Sequence, residues 1–253
     1  MKLGYDEAGQ GPVLLMVHGF PIDRRIWAEQ LGGLSDIRRV IAVDLRGRGK
    51  SPTAESSWTI DTHADDLAET IRSLGVDRVD LAGISMGGYI AFAFWRRYPQ
   101  MLRSLILVST RANEDPPEYK TGRQMTAERA REFGTAALAG SMLPNLLDES
   151  ASDEVKDRVS KMFESVPGET SAADSLAMKD RADSTGDLPS IAIPTLVIEG
   201  RGDLLLPEGS GQAIADPIPG AELVRIPAAG HFAPIENPDA VNSAIRAFLT
   251  ARA

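Results

Sequence analysis

Short apolar runs without regular polar alternation recur along the chain and suggest buried strands. Strands that are covered on both faces have this pattern, which is typical of a parallel sheet. Gly, Pro or Asp residues bound the first two of these runs. A further apolar run, ELVRI, precedes the last helical segment. The predicted strands are VLLMV (13–17), RVIAVD (39–44), VDLAGI (79–84), LRSLILVS (102–109) and PTLVIEG (194–200).

Amphipathic segments separate these runs and predict helices. The segment 59–75 offers Asp61 or Thr62 as an N-cap and Gly75 as a stop signal. The segments 86–99 and 239–253 are the other clear helices. Because predicted strands and helices alternate, the fold class is α/β, with helices on both faces of the sheet.

The region 111–189 contains no strand signal and predicts a helical insertion. Its segments 126–147 and 151–166 are rich in Ala, Glu, Arg and Lys. A helical insertion between two strands would form a cap over the carboxyl ends of the sheet, where open α/β sheets bind ligands. We therefore expect a core domain at 1–110 and 190–253. The alternative is that the extra helices pack on the flank of the sheet.

Composition narrows the classes of function. The 253 residues include 27 Lys and Arg against 36 Asp and Glu, a net charge of −9, which disfavours nucleic acid or an anionic membrane surface as the main partner. The absence of cysteine excludes a thiolate nucleophile. There is no basic N-terminal region followed by an apolar core, and no apolar run approaches the roughly 20 residues of a membrane span. We expect a soluble, cytoplasmic protein.

The sequence GISMG (83–87) fits G-x-S-x-G between a predicted strand and a predicted helix. Such a tight reversal leaves no room for side chains beside the serine, which explains Gly83 and Gly87. Ser85 would then project at the carboxyl edge of the sheet, near the backbone N–H of Met86 at a helix N-terminus. Short patterns of this kind also occur by chance, so the interpretation as a nucleophile needs chemical partners.

A serine hydroxyl becomes a good nucleophile only beside a base that a carboxylate orients. The chain has three histidines, and His231 follows the last predicted strand, in the loop before the final helix. Asp203 lies three residues beyond the strand that ends at Gly200, whereas Glu199 lies nearer the strand interior. We predict His231 as the base and Asp203 as its carboxylate. The fallback acids are Glu114 and Asp115.

An oxyanion needs a second donor besides the Met86 amide. The strand at 13–17 runs into His18-Gly-Phe, so the backbone N–H of Phe20 is the predicted second donor. His18 is expected to hold this loop through hydrogen bonds. His63 lies in the first turn of a predicted helix, where a capping or surface role is expected.

Taken together, these segments resemble the α/β-hydrolase superfamily in order and spacing, over the whole chain except the cap. The resemblance implies an eight-stranded, mostly parallel sheet, a triad of Ser85, Asp203 and His231, and an oxyanion hole from the amides of Phe20 and Met86. The family usually has two strands before the first crossover, but here only KLGYDEA precedes Gly9, so a seven-stranded sheet is the alternative. The motifs are VHGFPIDRRIW, VDLRGRGKS, LAGISMGGYIAF, GRGDLLLP and AGHFAPIENP.

The segment STRANEDPPEYKTGR (109–123) resembles small bacterial carboxylesterases and 3-oxoadipate enol-lactonase-like enzymes. We expect hydrolysis of short to medium carboxylic esters through an acyl-enzyme, with no metal or cofactor. The alternatives are an enol-lactone hydrolase, a cofactor-free haloperoxidase or perhydrolase side activity on the same triad, and a small-ligand receptor. The partner is a small molecule, and both monomer and homo-oligomer are open.

Substrate-binding residues are expected on the cap and the pocket walls. The enol-lactone alternative requires a cation for the substrate's carboxylate, for which Arg111 and Arg123 are candidates, although both could instead pair with nearby acids such as Glu114 and Glu118. Each apolar candidate is also a suitable core residue. The apolar candidates are Phe20, Trp27, Met86, Met125, Phe133, Met142 and Leu143.

Overall fold

Seven strands form a single sheet in the order β1-β3-β2-β4-β5-β6-β7, in a computed structural model that describes residues 1–53 and 57–251. β1 pairs with β3 in the antiparallel direction, and every other neighbouring pair is parallel. Within the described residues the sheet therefore has seven strands, not eight. The strands are β1 (Tyr5–Ala8), β2 (Val13–Val17), β3 (Arg39–Val43), β4 (Val79–Ile84), β5 (Leu102–Val108), β6 (Thr195–Gly200) and β7 (Glu222–Ile226).

The burial of the strands explains their apolar sequences. Every residue of β2 and of β4 is buried, because helices cover both faces at the centre of the sheet. The edge strand β7 is largely half-buried or exposed, and its Arg225 pairs with Glu199 of β6, with 2.6 Å between Nε and Oε1. Buried central strands are therefore mainly apolar, and the one acid of β4, Asp80, is paired with Arg38 and Arg103.

The helices follow the strands in the alternation that the sequence predicts. No helix in the described part of the chain is both long and apolar enough to cross a bilayer. The α-helices are α1 (Ala28–Gly33), α2 (Ile60–Ser73), α3 (Met86–Arg97), α4 (Pro117–Phe133), α5 (Ala136–Leu146), α6 (Asp153–Ser165), α7 (Gly168–Lys179), α8 (Ser210–Ala215), α9 (Ala233–Glu236) and α10 (Pro238–Thr250), and short 3₁₀ helices span Arg24–Trp27, Pro99–Met101 and Thr185–Ser190.

Two helix ends differ from the sequence prediction. The N-cap of α2 is Thr59, because its side chain accepts from the N–H of Thr62 while the Thr62 hydroxyl accepts from the N–H of Thr59, both at 3.1 Å. The predicted caps, Asp61 and Thr62, are therefore wrong, whereas Gly75 adopts φ +70° just beyond the helix. The helix predicted over 239–253 ends at Thr250, and residues 252–253 lie outside the described residues.

Four α-helices, α4 to α7, and the 3₁₀ helix Thr185–Ser190 occupy the fully described stretch between β5 and β6. The segment 126–147 is not one helix, because Gly134 takes φ +79° and separates α4 from α5. The buried carboxylate of Asp174 on α7 bonds to Arg48, to Trp58 Nε1 at 2.6 Å and to His63 Nε2 at 3.0 Å. The division into a cap at 111–189 and a core at 1–110 and 190–253 remains a prediction.

Candidate active site

Ser85 lies at the turn between β4 and α3 with φ 54° and ψ −114°, a conformation that side chains rarely adopt. Its N–H donates to the carbonyl of Val108 at 2.9 Å. Its carbonyl accepts from the N–H of Gly88 and from the hydroxyl of Thr110, both at 2.9 Å. These bonds hold the strained backbone at the point where β4 reverses into the helix.

The positions around Ser85 require glycine because a side chain there would clash with nearby atoms. A Cβ on Gly83 would lie 2.2 Å from the carbonyl oxygen of Gly87, and a Cβ on Gly87 would lie 2.4 Å from that of Val17. A Cβ on Gly19 would lie 3.1 Å from the Cβ of Ser85. The loop that carries Phe20 therefore packs directly beside the serine, and the N–H of Met86 has no partner within its own helix because Met86 is the first helical residue.

His231 and Asp203 form a buried pair in the loops that follow β7 and β6. Nδ1 of His231 lies 2.8 Å from Oδ2 of Asp203. The amides of Leu205 and Leu206 donate to Oδ1 of the same carboxylate at 2.9 and 3.2 Å. Burial acts to raise the pKa of Asp203, but the imidazole and the two amides outweigh it and hold that pKa below its usual value. The carboxylate is therefore ionised at neutral pH.

The ionised carboxylate determines where the imidazole proton lies. A carboxylate only accepts hydrogen bonds, so Nδ1 of His231 carries the proton and Nε2 presents a lone pair. Nε2 is buried, and within residues 1–53 and 57–251 it has no hydrogen-bond partner, Ser85 included. The imidazole is thus oriented at one nitrogen and unpaired at the other.

The other two histidines, His18 and His63, form hydrogen bonds that hold other parts of the fold. Nε2 of His18 accepts from the N–H of Leu45 at 3.0 Å, so Nδ1 is the donor to the carbonyl of Gly19 at 2.8 Å. Burial, with the nearby charge of Arg48, lowers the pKa of His18 to about 3, so this ring is neutral and holds the loop as predicted. The surface or capping role predicted for His63 is wrong, because it lies on the fully buried face of α2.

A cavity of about 370 Å³ opens beside Ser85 between the sheet edge and helices α4 and α5. Four of the predicted substrate-binding or oxyanion residues line it, namely Phe20, Arg111, Arg123 and Met142. The other lining residues are Tyr89, Glu118, Tyr119, Gly122, Thr126, Met178, Leu205 and Leu206.

Five of the apolar residues predicted at the substrate pocket lie outside this cavity, and one of them, Met86, is fully buried at the start of α3. Trp27 is fully buried in the core. Met125 and Phe133 are 64% and 61% exposed, because Met125 lies off the cavity-facing stripe of α4 and Phe133 is the last residue of that helix. Leu143 is half-buried against the core. None of these five residues lines the cavity.

Arg111 and Arg123, both on the cavity wall, share the buried carboxylate of Asp115. Asp115 bonds to Arg111, and its Oδ2 lies 3.0 Å from Nε of Arg123 and 3.0 Å from Nη1 of Arg181. Burial acts to raise the pKa of Asp115, but the three guanidinium groups hold it below its usual value. Three positive charges against one negative leave the cluster with two positive charges. Asp115 is thus engaged with arginines and not with His231.

The acids that the sequence suggested as partners of Arg111 and Arg123 have other positions in the structure. Neither Glu114 nor Glu118 is the partner of Arg111 or Arg123, since Glu114 pairs with Lys120, with 2.6 Å between its Oε2 and Nζ. Glu118 is exposed on the cavity wall. Glu114 is therefore no acid for His231 either.

Comparison with known proteins assigns the fold family. A family model described as the alpha/beta hydrolase fold matches residues 12–238. The chain belongs to the α/β-hydrolase family.

Several members of this family are similar to the chain in sequence or in structure. The structure of a thermophilic esterase from Thermogutta terrifontis with malate bound is 43% identical, with a TM-score of 0.96 over 98% of this chain and 93% of that chain. The enol-lactonase from Burkholderia xenovorans LB400 is 29% identical, with a TM-score of 0.90 over 98% and 96%. Non-heme chloroperoxidase CPO-A1 of Kitasatospora aureofaciens is 30% identical over 88% and 86%.

Sequence reasoning missed several wall residues of this α/β hydrolase. The missed residues Tyr119, Gly122 and Thr126 form a stripe on α4 with the predicted Arg123, at the spacing of one helix face. That spacing is present in the sequence, but the stripe is polar and carries little hydrophobic signal. Tyr89 lies one helical turn beyond Ser85 on α3, which is a signal that the sequence does offer.

Proposed function

We propose that this α/β hydrolase is a serine hydrolase that cleaves carboxylic esters of short to medium acyl chain through an acyl-enzyme on Ser85. The observation that carries the proposal is the buried bond from His231 Nδ1 to Asp203, which leaves Nε2 unpaired. A histidine oriented in this way is a ready base, and Ser85 projects from a strained turn into a cavity.

The mechanism follows from these groups. The Ser85 hydroxyl attacks the ester carbonyl as its proton passes to Nε2 of His231, and Asp203 stabilises the resulting imidazolium. The backbone N–H groups of Phe20 and Met86 bind the oxyanion of the tetrahedral intermediate. Collapse breaks the ester bond, and the leaving alcohol takes the proton from Nε2. A water then gives a proton to Nε2 and attacks the acyl-enzyme, which releases the acid and restores Ser85.

The unpaired Nε2 is consistent with this role. In enzymes without substrate, catalytic hydrogen bonds are often long or poorly aligned and tighten only in the Michaelis complex. An ester bound in the cavity would exclude water around Ser85 and bring the hydroxyl proton toward Nε2 of His231.

The size and walls of the cavity support a small ester. A volume of about 370 Å³ is at the lower end of the usual range for small-molecule sites. Phe20, Met142, Met178, Leu205 and Leu206 supply apolar surface for an acyl chain. An acyl chain of short to medium length therefore suits this space.

A second candidate is a carboxylate-bearing ester or enol-lactone. The observation that favours it is the cluster of Arg111, Arg123 and Arg181 around Asp115, which places excess positive charge at the cavity wall. The similarity to an enol-lactonase and to a malate-bound esterase agrees with it. Values of kcat/KM on neutral esters and on carboxylate-bearing esters and lactones distinguish the two candidates, because the second predicts a strong preference for the anionic substrates.

Steady-state hydrolysis of p-nitrophenyl acetate and butyrate tests the main proposal. We expect Ser85→Ala to lower kcat by at least about 10³-fold, because the serine is the covalent nucleophile. Ser243→Ala, an exposed serine on α10, is the matched control and should retain full activity. Equal rates for the native protein and Ser85→Ala would refute the assignment of the nucleophile.

A further inference from the structure

The carboxyl-terminal end of α5 and the residues that follow it, here called the α5 end (residues 146–148), lie against the loop that carries His231. The carbonyl of Leu146 accepts from the N–H of His231 at 2.9 Å and from the N–H of Phe232 at 3.3 Å. The backbone position of His231 is therefore set in part by a helix of the insertion between β5 and β6.

One carboxylate joins the same two segments. Oε1 of Glu236 accepts from the N–H groups of Gly230 and Phe232, both at 3.1 Å, which are the residues on either side of His231. Its Oε2 accepts from the N–H of Asp148 at 2.6 Å. Glu236 thus holds both flanks of His231 with one oxygen and the α5 end with the other.

Two glycines show how closely the α5 end approaches both loops. A Cβ on Gly230, which precedes His231, would lie 2.7 Å from the backbone nitrogen of Asp148. A Cβ on Gly202, which precedes Asp203, would lie 2.0 Å from Oδ2 of Asp148. The same short segment therefore packs beside the proposed base and beside its carboxylate.

The donor geometry explains why a carboxylate occupies position 236. Three N–H groups converge on its two oxygens, and an ionised carboxylate is the side chain that presents only acceptors. Burial acts against the charged form and raises the pKa of Glu236 even though these amides favour the carboxylate. A buried charge held by three donors gives a rigid contact where a flexible loop would otherwise carry His231.

We propose that Glu236 is a positioning residue for His231, which it holds together with the α5 end. Met142 on α5 lines the cavity and lies one helical turn before Leu146, which holds the His231 loop. This inference rests on the proposed function, because it requires His231 to act as the base.

Glu236→Gln is the direct test because it preserves shape. The amide NH₂ must then face either the N–H of Asp148 or the N–H groups of Gly230 and Phe232, so one set of bonds is lost. We expect kcat on p-nitrophenyl butyrate to fall about tenfold or more, since displacements near 1 Å at a catalytic group can cost 10²-fold. KM should stay within about twofold, because Glu236 does not line the cavity.

A spectroscopic signal separates positioning from general stability. The proton between His231 Nδ1 and Asp203 should give a downfield proton resonance in the native protein that shifts or broadens in Glu236→Gln. Glu149→Gln, an exposed neighbour of Asp148, is the matched control and should leave kcat and this resonance unchanged. If Glu236→Gln fails to fold, Gly230→Ala tests the same contact, and it too should lower kcat with little change in KM.

The outcomes distinguish this inference from the proposed function. An enzyme that loses activity in Ser85→Ala and His231→Ala but keeps full kcat and an unshifted resonance in Glu236→Gln or Gly230→Ala overturns the positioning role alone. Activity that survives His231→Ala overturns the proposed function itself. A selective loss of kcat in Glu236→Gln, with the resonance shifted, supports both.

Discussion

Nδ1 of His231 lies 2.8 Å from Oδ2 of Asp203, and the two side chains are only 1% and 6% exposed. This bond fixes the imidazole proton on Nδ1 and directs the free lone pair of Nε2 away from Asp203. An imidazole that is held at one nitrogen and unpaired at the other has the arrangement that the proposed base requires.

Asp203→Asn tests the orientation of the imidazole. An amide NH₂ facing Nδ1 would favour the tautomer with the proton on Nε2, which cannot accept the proton of Ser85. We expect kcat on p-nitrophenyl butyrate to fall by about 10³- to 10⁴-fold. The control is Glu208→Gln, an exposed residue of the same loop region, which should retain activity. A loss of less than tenfold in Asp203→Asn would contradict the assigned role.

Arg123→Gln tests the positive wall of the cavity. For a carboxylate-bearing substrate such as the mono-p-nitrophenyl ester of succinic acid, we expect kcat/KM to fall about tenfold, because a charge-assisted contact is lost at a partly exposed site. For p-nitrophenyl butyrate, which has the same acyl length, the change should stay within about twofold. Arg129→Gln, exposed on the same helix, is the control. Equal losses on both substrates would contradict a carboxylate site.

The ion pair of Asp174, which joins α7 to the core, should make the free energy of unfolding depend on pH. Burial acts to raise its pKa, but Arg48 and His63 hold it well below the ordinary value of 3.8. A depressed carboxyl pKa contributes stability that is fully present above pH 3.8 and is lost as the pH falls through the folded-state pKa. Because Asp174→Asn leaves Arg48 buried without its counter-charge, we expect it to lower the free energy of unfolding by about 3–5 kcal/mol at neutral pH.

Urea unfolding across pH measures this effect of Asp174→Asn. The difference in unfolding free energy between the native protein and the variant should shrink as the pH falls below 3.8, because the Asp174 carboxylate of the unfolded chain then takes up a proton that the folded protein does not yet bind. Asp180→Asn, an exposed carboxylate at the end of α7, should show no such difference. A gap between native protein and Asp174→Asn that stays constant with pH would rule out this ion pair as its source.

Gly87→Ala tests the steric basis of the turn at Ser85. Its new Cβ would lie 2.4 Å from the backbone oxygen of Val17, a rigid strand atom, so β2 or α3 must shift. We expect a loss of about 1–3 kcal/mol in unfolding free energy, as for other overpacked sites, together with a loss of esterase activity. A melting temperature equal to that of the native protein would disprove the close approach.

Gly140→Ala is the matched control for that substitution. Gly140 lies inside α5, and a Cβ there meets no atom within 4 Å. Because alanine favours the helix over glycine by about 1 kcal/mol, we expect Gly140→Ala to be slightly stabilising and fully active. Thermal denaturation of the two variants separates the effect of the steric clash from the effect of helix propensity.

The sheet and the residues at its edge could be predicted because their signals are local. Unbroken apolar runs gave the central strands, and the spacing of Gly83 and Gly87 around Ser85 matches the contacts that leave no room for a Cβ. His231 and Asp203 each follow a strand, and parallel strands bring such loops to one edge. Their pairing was therefore accessible from sequence order alone.

The walls of the cavity could not be predicted in the same way because they depend on how helices pack. Hydrophobicity favoured Met125 and Phe133, but α4 turns these residues outward and presents the more polar stripe of Tyr119 and Arg123 to the cavity. The burial of His63 depends on contact with Asp174, which lies 111 residues away in sequence. No local pattern carries information about such a contact.

Covalent labelling of Ser85 is the most direct test of the proposed nucleophile. The protein is treated with diethyl p-nitrophenyl phosphate, and intact mass, peptide mapping and residual activity on p-nitrophenyl butyrate are followed together. We expect one diethylphosphoryl group per chain, located on Ser85, with activity lost in proportion to labelling and no label on Ser85→Ala. Labelling at another residue, or full esterase activity after Ser85 is modified, would contradict the account.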